Sequence, residues 1–326
     1  MYFNNIDYPV LGYLSEKRFI SIKEISNELG VSCNEVLIQI QELKKYGYRF
    51  LTHSVNKYRI IFRPDALLPQ EIIHTLNTRK IGRKIYYFNE VDSTNIVARK
   101  IIRNGGMKTD DGTVIIAEKQ IKGKGRLDRN WISPEGGLWF SVILNPTIDL
   151  LYLPLITLMS SVIVTRIIRN FYQINAKIKW PNDILIDNKK ICGILTETSI
   201  SSNSLDYVIV GIGLNVNISI EDFPENIINN TISLKSIIGE NISRKRILIG
   251  ILEEFEKYYE TFKKSNFTSI INEWKLYSGT IGSKVSINTG RNVITGKAID
   301  IDKNGGLILK MKNGDCEKVM SGTIIR

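Results

Sequence analysis

A chain of 326 residues, 43% hydrophobic and carrying a net charge of +11, is too long for one ordinary core and has the apolar content of a globular protein. No uninterrupted apolar run reaches membrane-spanning length and the N-terminus lacks the basic-then-apolar order of a secretion signal. A cytoplasmic protein with no membrane partner is therefore expected.

Residues 1–66 carry nine Lys/Arg against seven Asp/Glu, a balance of +2, so +9 of the excess lies beyond them and global charge alone does not indicate nucleic acid. The cysteines, Cys33, Cys192 and Cys316, lie far apart without metal-ligand spacing. They read as buried free thiols, and no metal ligand is assigned. The two histidines, His53 and His74, fall in the first quarter, so chemistry elsewhere runs without an imidazole base.

In chain order, "YPVLGYLSEK" has helical apolar spacing. "SIKEISNELG" predicts a short helix with a serine start and a glycine stop, and "VSCNEVLIQIQELKKYG" a second, opened by Ser32 and closed by Gly47. The tight "LGVS" turn between them makes a helix-turn-helix pattern, and "YRFLTHSVNKYRIIF" alternates as a hairpin would. Together these predict a winged helix over 1–66. "RPDALLPQEI", with two prolines, reads as a linker.

Over 67–277, "GTVIIAEKQ", "GGLWFSVIL", "KICGILTET" and "YVIVGIGLNVNI" predict strands. "LLYLPLITLMSSVIVTRIIRNF" predicts a long buried helix with Pro154 in its first turn or at a boundary, and another helix covers about 244–264. Interleaving without strict βαβ repetition implies an α+β unit with a mixed sheet. In 278–326, brief alternating segments around "NTG", "KNGG" and "KNG" predict a small β-barrel.

Four segments carry chemistry. "GKGRLDRNW" packs glycines and the cations Lys124, Arg126 and Arg129 between two strands. It is neither a Walker loop nor a dinucleotide fingerprint, and taken alone it reads equally well as a basic surface turn. "KIKWPNDILIDNKKICGILTE" clusters Lys179, Asn182 and Asp183 around a proline. Turn chemistry accounts for Asn182 and Asp183 about as well as a site does, but not for Lys179 and Trp180. "GIGLNVN" ends a buried strand with Asn215 and Asn217 on one face. "NEVDSTN" offers Ser93, Thr94 and Asn95, where Ser93 or Thr94 caps a helix and can also line a site.

Together "EVDSTN", "AEKQ…GKGRLDRNW…SPEGGLWFSV", "KWPNDIL", "KICGILTE" and "GIGLNVN" resemble the biotin protein ligases, in the bifunctional form that also represses biotin genes. The resemblance spans the chain in one order. It implies a winged helix over 1–66, a catalytic domain over 67–277 and an SH3-like barrel over 278–326. It implies that Ser93, Thr94, Asn95 and Gln120 hold the biotin ureido ring, a neutral group needing donors and acceptors together. By the same resemblance Lys124, Gly125 and Arg126 cover the biotin carboxylate and the adenylate phosphate. Lys179 grips the reacting groups, and Asp183 and Lys190 form an acid–base pair. Trp131, Asn182 and Asn215 line the nucleotide side.

The reaction implied is two-step. Biotin and Mg-ATP give biotinyl-AMP, which then acylates a lysine of the biotin carboxyl carrier protein of acetyl-CoA carboxylase. Its substrates and metal are biotin, ATP and Mg²⁺; its partners are that carrier protein, biotin operator DNA and a second copy of the chain when biotinyl-AMP is bound.

The chain departs from the family pattern in places. Asp128 stands where relatives usually have glycine, and Lys124 replaces a more usual arginine. Cys33, Ile38 and Gln39 replace basic or histidine side chains, and Glu35 and Glu42 would repel phosphate. Asn34 and Gln39 with Ser32 on the second helix, and Lys57 and Arg59 on the wing, are the candidate DNA contacts. A winged helix kept only for packing or dimer geometry remains the alternative, beside a lipoate-protein ligase or a biotin sensor without ligase activity.

Overall fold

The computed structural model describes residues 6–54, 56–105, 109–201 and 204–325. Near the N-terminus, local signals set the elements. The Ser21 hydroxyl accepts from the Glu24 amide while the Glu24 carboxylate accepts from the Ser21 amide, opening α1 (Ile22–Leu29); Gly30 at φ 67° closes it. Ser32 and Glu35 repeat this box at the start of α2 (Cys33–Lys45). Strands β1 (Ile20–Ser21), β2 (Arg49–His53) and β3 (Lys57–Phe62) form an antiparallel sheet in the order β1-β3-β2. The helix expected in "YPVLGYLSEK" is only a 3-10 turn, Pro9–Gly12. Val10, Leu11 and Leu14 are nonetheless buried.

The expected linker is instead built into the core. Ala66, Leu67, Leu68 and Ile72 are buried around the short helix α3 (Pro69–Ile73). The neighbouring carboxylates engage the helix α8 (Arg244–Lys263): buried Arg244 donates to Asp65 at 2.8 Å and to Glu118 at 2.6 Å, and Lys245 pairs with Glu71 at 2.6 Å. Glu71 also accepts from Arg63 and, at 3.0 Å, from the Tyr48 hydroxyl. Burial alone would raise the pKa of Glu71; Lys245 and Arg63 outweigh it and hold the carboxyl below the ordinary value.

The central sheet contains β4 (Ile85–Val91), β5 (Val114–Gln120), β6 (Leu138–Leu144), β7 (Lys177–Lys179), β8 (Asp183–Ile186), β9 (Lys189–Ser201) and β10 (Ser204–Leu214). Its order is β4-β5-β6-β10-β9-β8-β7, with only the β4–β5 pair parallel, so it is mixed as expected. Alternation divides its faces. Ile143 and Ile209 pack with Val97 and Ala98 of α4 (Thr94–Gly105), while Val142, Val208 and Val210 belong to the larger core.

Helix α5 (Leu153–Tyr172), with Pro154 in its first turn, is part of that core and touches β9. Leu150–Tyr172 is long and apolar enough to cross a membrane by length and composition alone, but Arg166 and Arg169 interrupt it and 67% of its most apolar 18-residue window is buried in that core. Two short helices, α6 (Glu225–Ile228) and α7 (Leu234–Ile238), precede α8, and α9 (Thr268–Tyr277), absent from the sequence reading, packs on α5.

The C-terminal strands β11 (Lys284–Asn288), β12 (Val293–Ile301), β13 (Leu307–Lys310), β14 (Cys316–Val319) and β15 (Thr323–Ile325) run in the order β14-β13-β12-β11-β15, every pair antiparallel. Their turn glycines, Gly290, Gly305 and Gly314, have φ of 86–94°, which explains the residue type. Among the described residues no ladder joins β14 to β15, so the expected barrel is an open sheet. Cys192 is buried, whereas Cys33 and Cys316 are exposed, contrary to expectation.

Candidate active site

One cavity of about 460 Å³ opens at the ends of the central strands, a volume suited to a small ligand. Every catalytic, biotin and nucleotide residue singled out in the sequence lines it. Glycine-rich strands make the room. Gly193 and Gly213 are register partners on β9 and β10, and a methyl group on Gly213 would come within 2.4 Å of the Trp131 indole nitrogen. On Gly211 a methyl would meet the Asn95 amide oxygen at 2.3 Å. These strands thus accept two side chains where any larger residue would expel them.

One wall is neutral and tightly bonded. Thr94 and Asn95, at the start of α4, are 4% and 3% exposed. The Gln120 carbonyl accepts from the Thr94 amide at 2.9 Å, and its side-chain nitrogen donates to Ser133 at 2.8 Å. Ser141 on β6 bonds both Thr94 and Asn95, at 2.7 and 2.6 Å. Ser93 is buried beside them.

Another part of the lining is cationic. Lys179 ends β7 and faces the cavity, and Asp183 on β8 pairs with Lys190 at 2.5 Å. The Lys190 ammonium also lies 5.0 Å from the centre of the Trp131 ring. Arg126 donates to Asn182 at 3.4 Å and to the Gly322 carbonyl at 3.2 Å. Burial pushes the Arg126 guanidinium pKa down, against the opposing pull of Asp183, with Arg129 adding to the depression. Lys124 sits 3.9 Å from Asp128 across the basic loop. Leu127 and Asp128 both adopt left-handed backbone, φ 55° and 54°, a conformation that favours glycine, the residue the family resemblance leads one to expect at 128.

At the third side, Asn215 is 1% exposed and donates to the Ile232 carbonyl at 3.0 Å, while its oxygen has no hydrogen-bond partner. The Trp131 indole nitrogen is likewise buried without a partner. Two such groups in one cavity wall indicate a ligand that would complete them. Asn217 departs from the expectation that it shares a face with Asn215. Strand β10 ends at Leu214, and Asn217 turns to Ile242 and Asp65.

Sequence reasoning missed Ser133, Ser141 and Gly322. The first two are ordinary strand or loop serines, and the third reaches the cavity only because the C-terminal sheet docks there. Trp180, whose place resisted turn chemistry, is a tether: its amide donates to Thr280 at 2.9 Å and its indole to the Gly305 carbonyl at 3.2 Å.

On the N-terminal unit, Ser32, Asn34 and Lys57 are exposed. The Ser32 hydroxyl is committed to its capping box, and the half-buried Gln39 accepts the Val10 amide at 3.3 Å, so its side chain belongs to the packing of α2. Arg59 lies over the Phe19 ring at 5.1 Å. These residues are remote from the cavity and do not join it.

The Biotin/lipoate A/B protein ligase family profile aligns with residues 88–215, and that of the Biotin protein ligase C terminal domain with 280–326. The bifunctional ligase/repressor BirA of Bacillus subtilis is 38% identical over 94% of this chain and 93% of its own length. BirA of Escherichia coli is 24% identical over 98% and 97% respectively. The biotin protein ligase of Aquifex aeolicus, solved with biotin and ATP, superposes with a TM-score of 0.63 at 33% identity, covering 74% of this chain and 98% of that one. With nearly full-length similarity to a bifunctional ligase and repressor, this chain belongs to the biotin protein ligase family.

Proposed function

We propose that this protein attaches biotin to a specific lysine of the biotin carboxyl carrier protein of acetyl-CoA carboxylase, through biotinyl-5'-AMP. The observation that carries the reading is a single cavity lined both by a neutral hydrogen-bonding wall and by Lys124, Arg126 and Lys179. A carboxylate is already a nucleophile. One of its oxygens attacks the α-phosphorus of ATP, the bond to the bridging oxygen breaks, and pyrophosphate leaves. The protein's part is to hold two anions together and absorb developing charge, which the three cations do.

In the second step the carrier lysine's neutral amine attacks the acyl carbon, the carbon–oxygen bond to phosphate breaks, and AMP leaves. Asp183, beside Lys190, takes or orients the departing proton. Mg²⁺, when bound with the nucleotide, would supply charge neutralisation on the phosphates; Asp183, the carboxylate among the described lining residues, is the side chain that could help hold it, although it is already paired with Lys190. Trp131, Asn182 and Asn215 form the nucleotide side, and the loop over 123–130 shelters the mixed anhydride from water.

In this reading residues 67–277 form the catalytic domain, 278–326 an SH3-like module, and 1–66 a winged helix that binds biotin operator DNA in a dimer formed on biotinyl-AMP. The alternative, a ligase whose N-terminal unit does not read DNA, is favoured by the inward Gln39 and by Glu35 beside Asn34.

Incubation with biotin, Mg-ATP and a biotin carrier domain, followed by intact mass measurement, tests the activity. One biotinyl adduct per carrier is expected, and an unmodified carrier overturns the proposal. A biotinyl-AMP-dependent shift of an operator fragment is expected at low salt; its absence leaves the ligase-only reading.

A further inference from the structure

Behind the neutral wall lies a chain of hydrogen bonds whose direction is dictated from outside the cavity. Glu197 on β9 accepts from the Asn95 side-chain nitrogen at 2.7 Å, with Arg99 of α4 3.8 Å from its other oxygen. A carboxylate only accepts, so the Asn95 amide must turn its nitrogen to Glu197 and the Leu195 carbonyl, and its oxygen to Ser141. That oxygen also only accepts. Ser141 has one proton and must place it there. The Thr94 hydroxyl, 2.7 Å from Ser141 and 3.2 Å from the Gln120 oxygen, can then give its single proton only to one of these two acceptors, and it turns lone pairs to the cavity.

A second chain arrives at the same wall from the other side. The Trp131 carbonyl accepts from Ser133 at 3.0 Å, so Ser133 accepts from the Gln120 nitrogen, and the Gln120 oxygen faces the Thr94 amide. Gln120 keeps one N–H for the cavity, beside the Thr94 lone pairs.

We propose that Glu197, which does not line the cavity, is a specificity-determining positioning residue: through Asn95 and Ser141 it makes Thr94 an obligate acceptor for an N–H of the bound ring. The inference rests on the reading that Thr94 contacts biotin, whose ureido group carries two such N–H groups. A ring presenting an acceptor at that point would meet lone pairs and be refused.

The test is a double-mutant cycle on the full chain, reading the biotin dissociation constant by calorimetry. Glu197→Met keeps the length of a partly exposed side chain but leaves only the longer 3.4 Å bond to the Leu195 carbonyl to orient the Asn95 amide. We expect its biotin affinity to fall about ten- to thirtyfold, the range for an interrupted buried hydrogen-bond chain, with ATP affinity unchanged. Glu197→Gln can still offer an oxygen to Asn95 and retains most of the affinity. In a Thr94→Val background, Glu197→Met adds no further loss.

Additive losses, parental affinity in Glu197→Met, or equal losses for Gln and Met overturn the relay. If Glu197→Met does not fold, Ser141→Ala interrupts the same chain and enters the same cycle. A parental chain that takes up no biotin overturns the biotin reading itself. A parent that binds, with Thr94→Val unchanged, overturns only the relay.

Discussion

The neutral wall and the basic loop line one cavity and are built in opposite ways. Thr94, Asn95, Gln120 and Ser141 are held by several short hydrogen bonds each, on strands and at a helix start. In the loop, Leu127 is 73% exposed and the Asp128 side chain 97%. In the proposed reading the difference follows from what each recognises. A neutral ring is read by donors and acceptors, whose strength collapses with poor angle or wrong polarity, so that wall is buried and fixed. An anion is read by charge, whose attraction falls slowly with distance, so a glycine-bearing loop suffices.

That contrast can be tested from several directions. The largest expected effect is at Lys179, the cation mounted on a strand rather than the loop. Lys179→Ala lowers the rate of biotin-dependent ATP–pyrophosphate exchange by about 10²–10³-fold, the usual loss for one transition-state partner. Parental turnover at every substrate concentration would refute its role. Next comes the wall. Gly211→Ala drives a methyl into Asn95, weakening biotin binding by about tenfold and destabilising the fold by about 1–3 kcal/mol, read by calorimetry and thermal melting. Unaltered affinity would mean the wall gives way easily.

Salt separates the two regions more gently. Raising ionic strength from about 0.05 to 0.5 M should raise the KM for ATP about three- to fivefold. The dissociation constant of biotin amide, which keeps the ureido ring but lacks the charge, should stay level. Equal sensitivity would erase the comparison. The smallest effect is expected for Asp128→Gly, which relieves a left-handed aspartate and removes a weak partner of Lys124. Biotin affinity should change by no more than about threefold; a larger change would show that the loop is as finely set as the wall.

Much of this was legible locally. Ser21 with Glu24 and Ser32 with Glu35 announce their helices through bonds made within four residues, and Gly290, Gly305 and Gly314 mark turns that need positive φ. The cavity residues were legible as a set because their motifs resemble a known family's. The expected linker failed as a loop because Asp65 and Glu71 also find partners more than 170 residues away, at Arg244 and Lys245. The N-terminal helix failed because burial of Val10 and Leu14 is satisfied by a turn, and Asn217 left its expected face because β10 stops two residues after Ile212.

By itself, then, the order of residues decided where helices begin, which turns are tight and which side chains can answer a carboxylate, a phosphate or a urea. Those are properties of neighbours along the chain. Only the folded sheet decided that Gly211 and Gly213 leave room for Asn95 and Trp131, that Gly322 reaches Arg126, and that Glu197 stands behind Asn95. Hydrogen-bond polarity passes through space from one group to the next, and no spacing in the sequence records it.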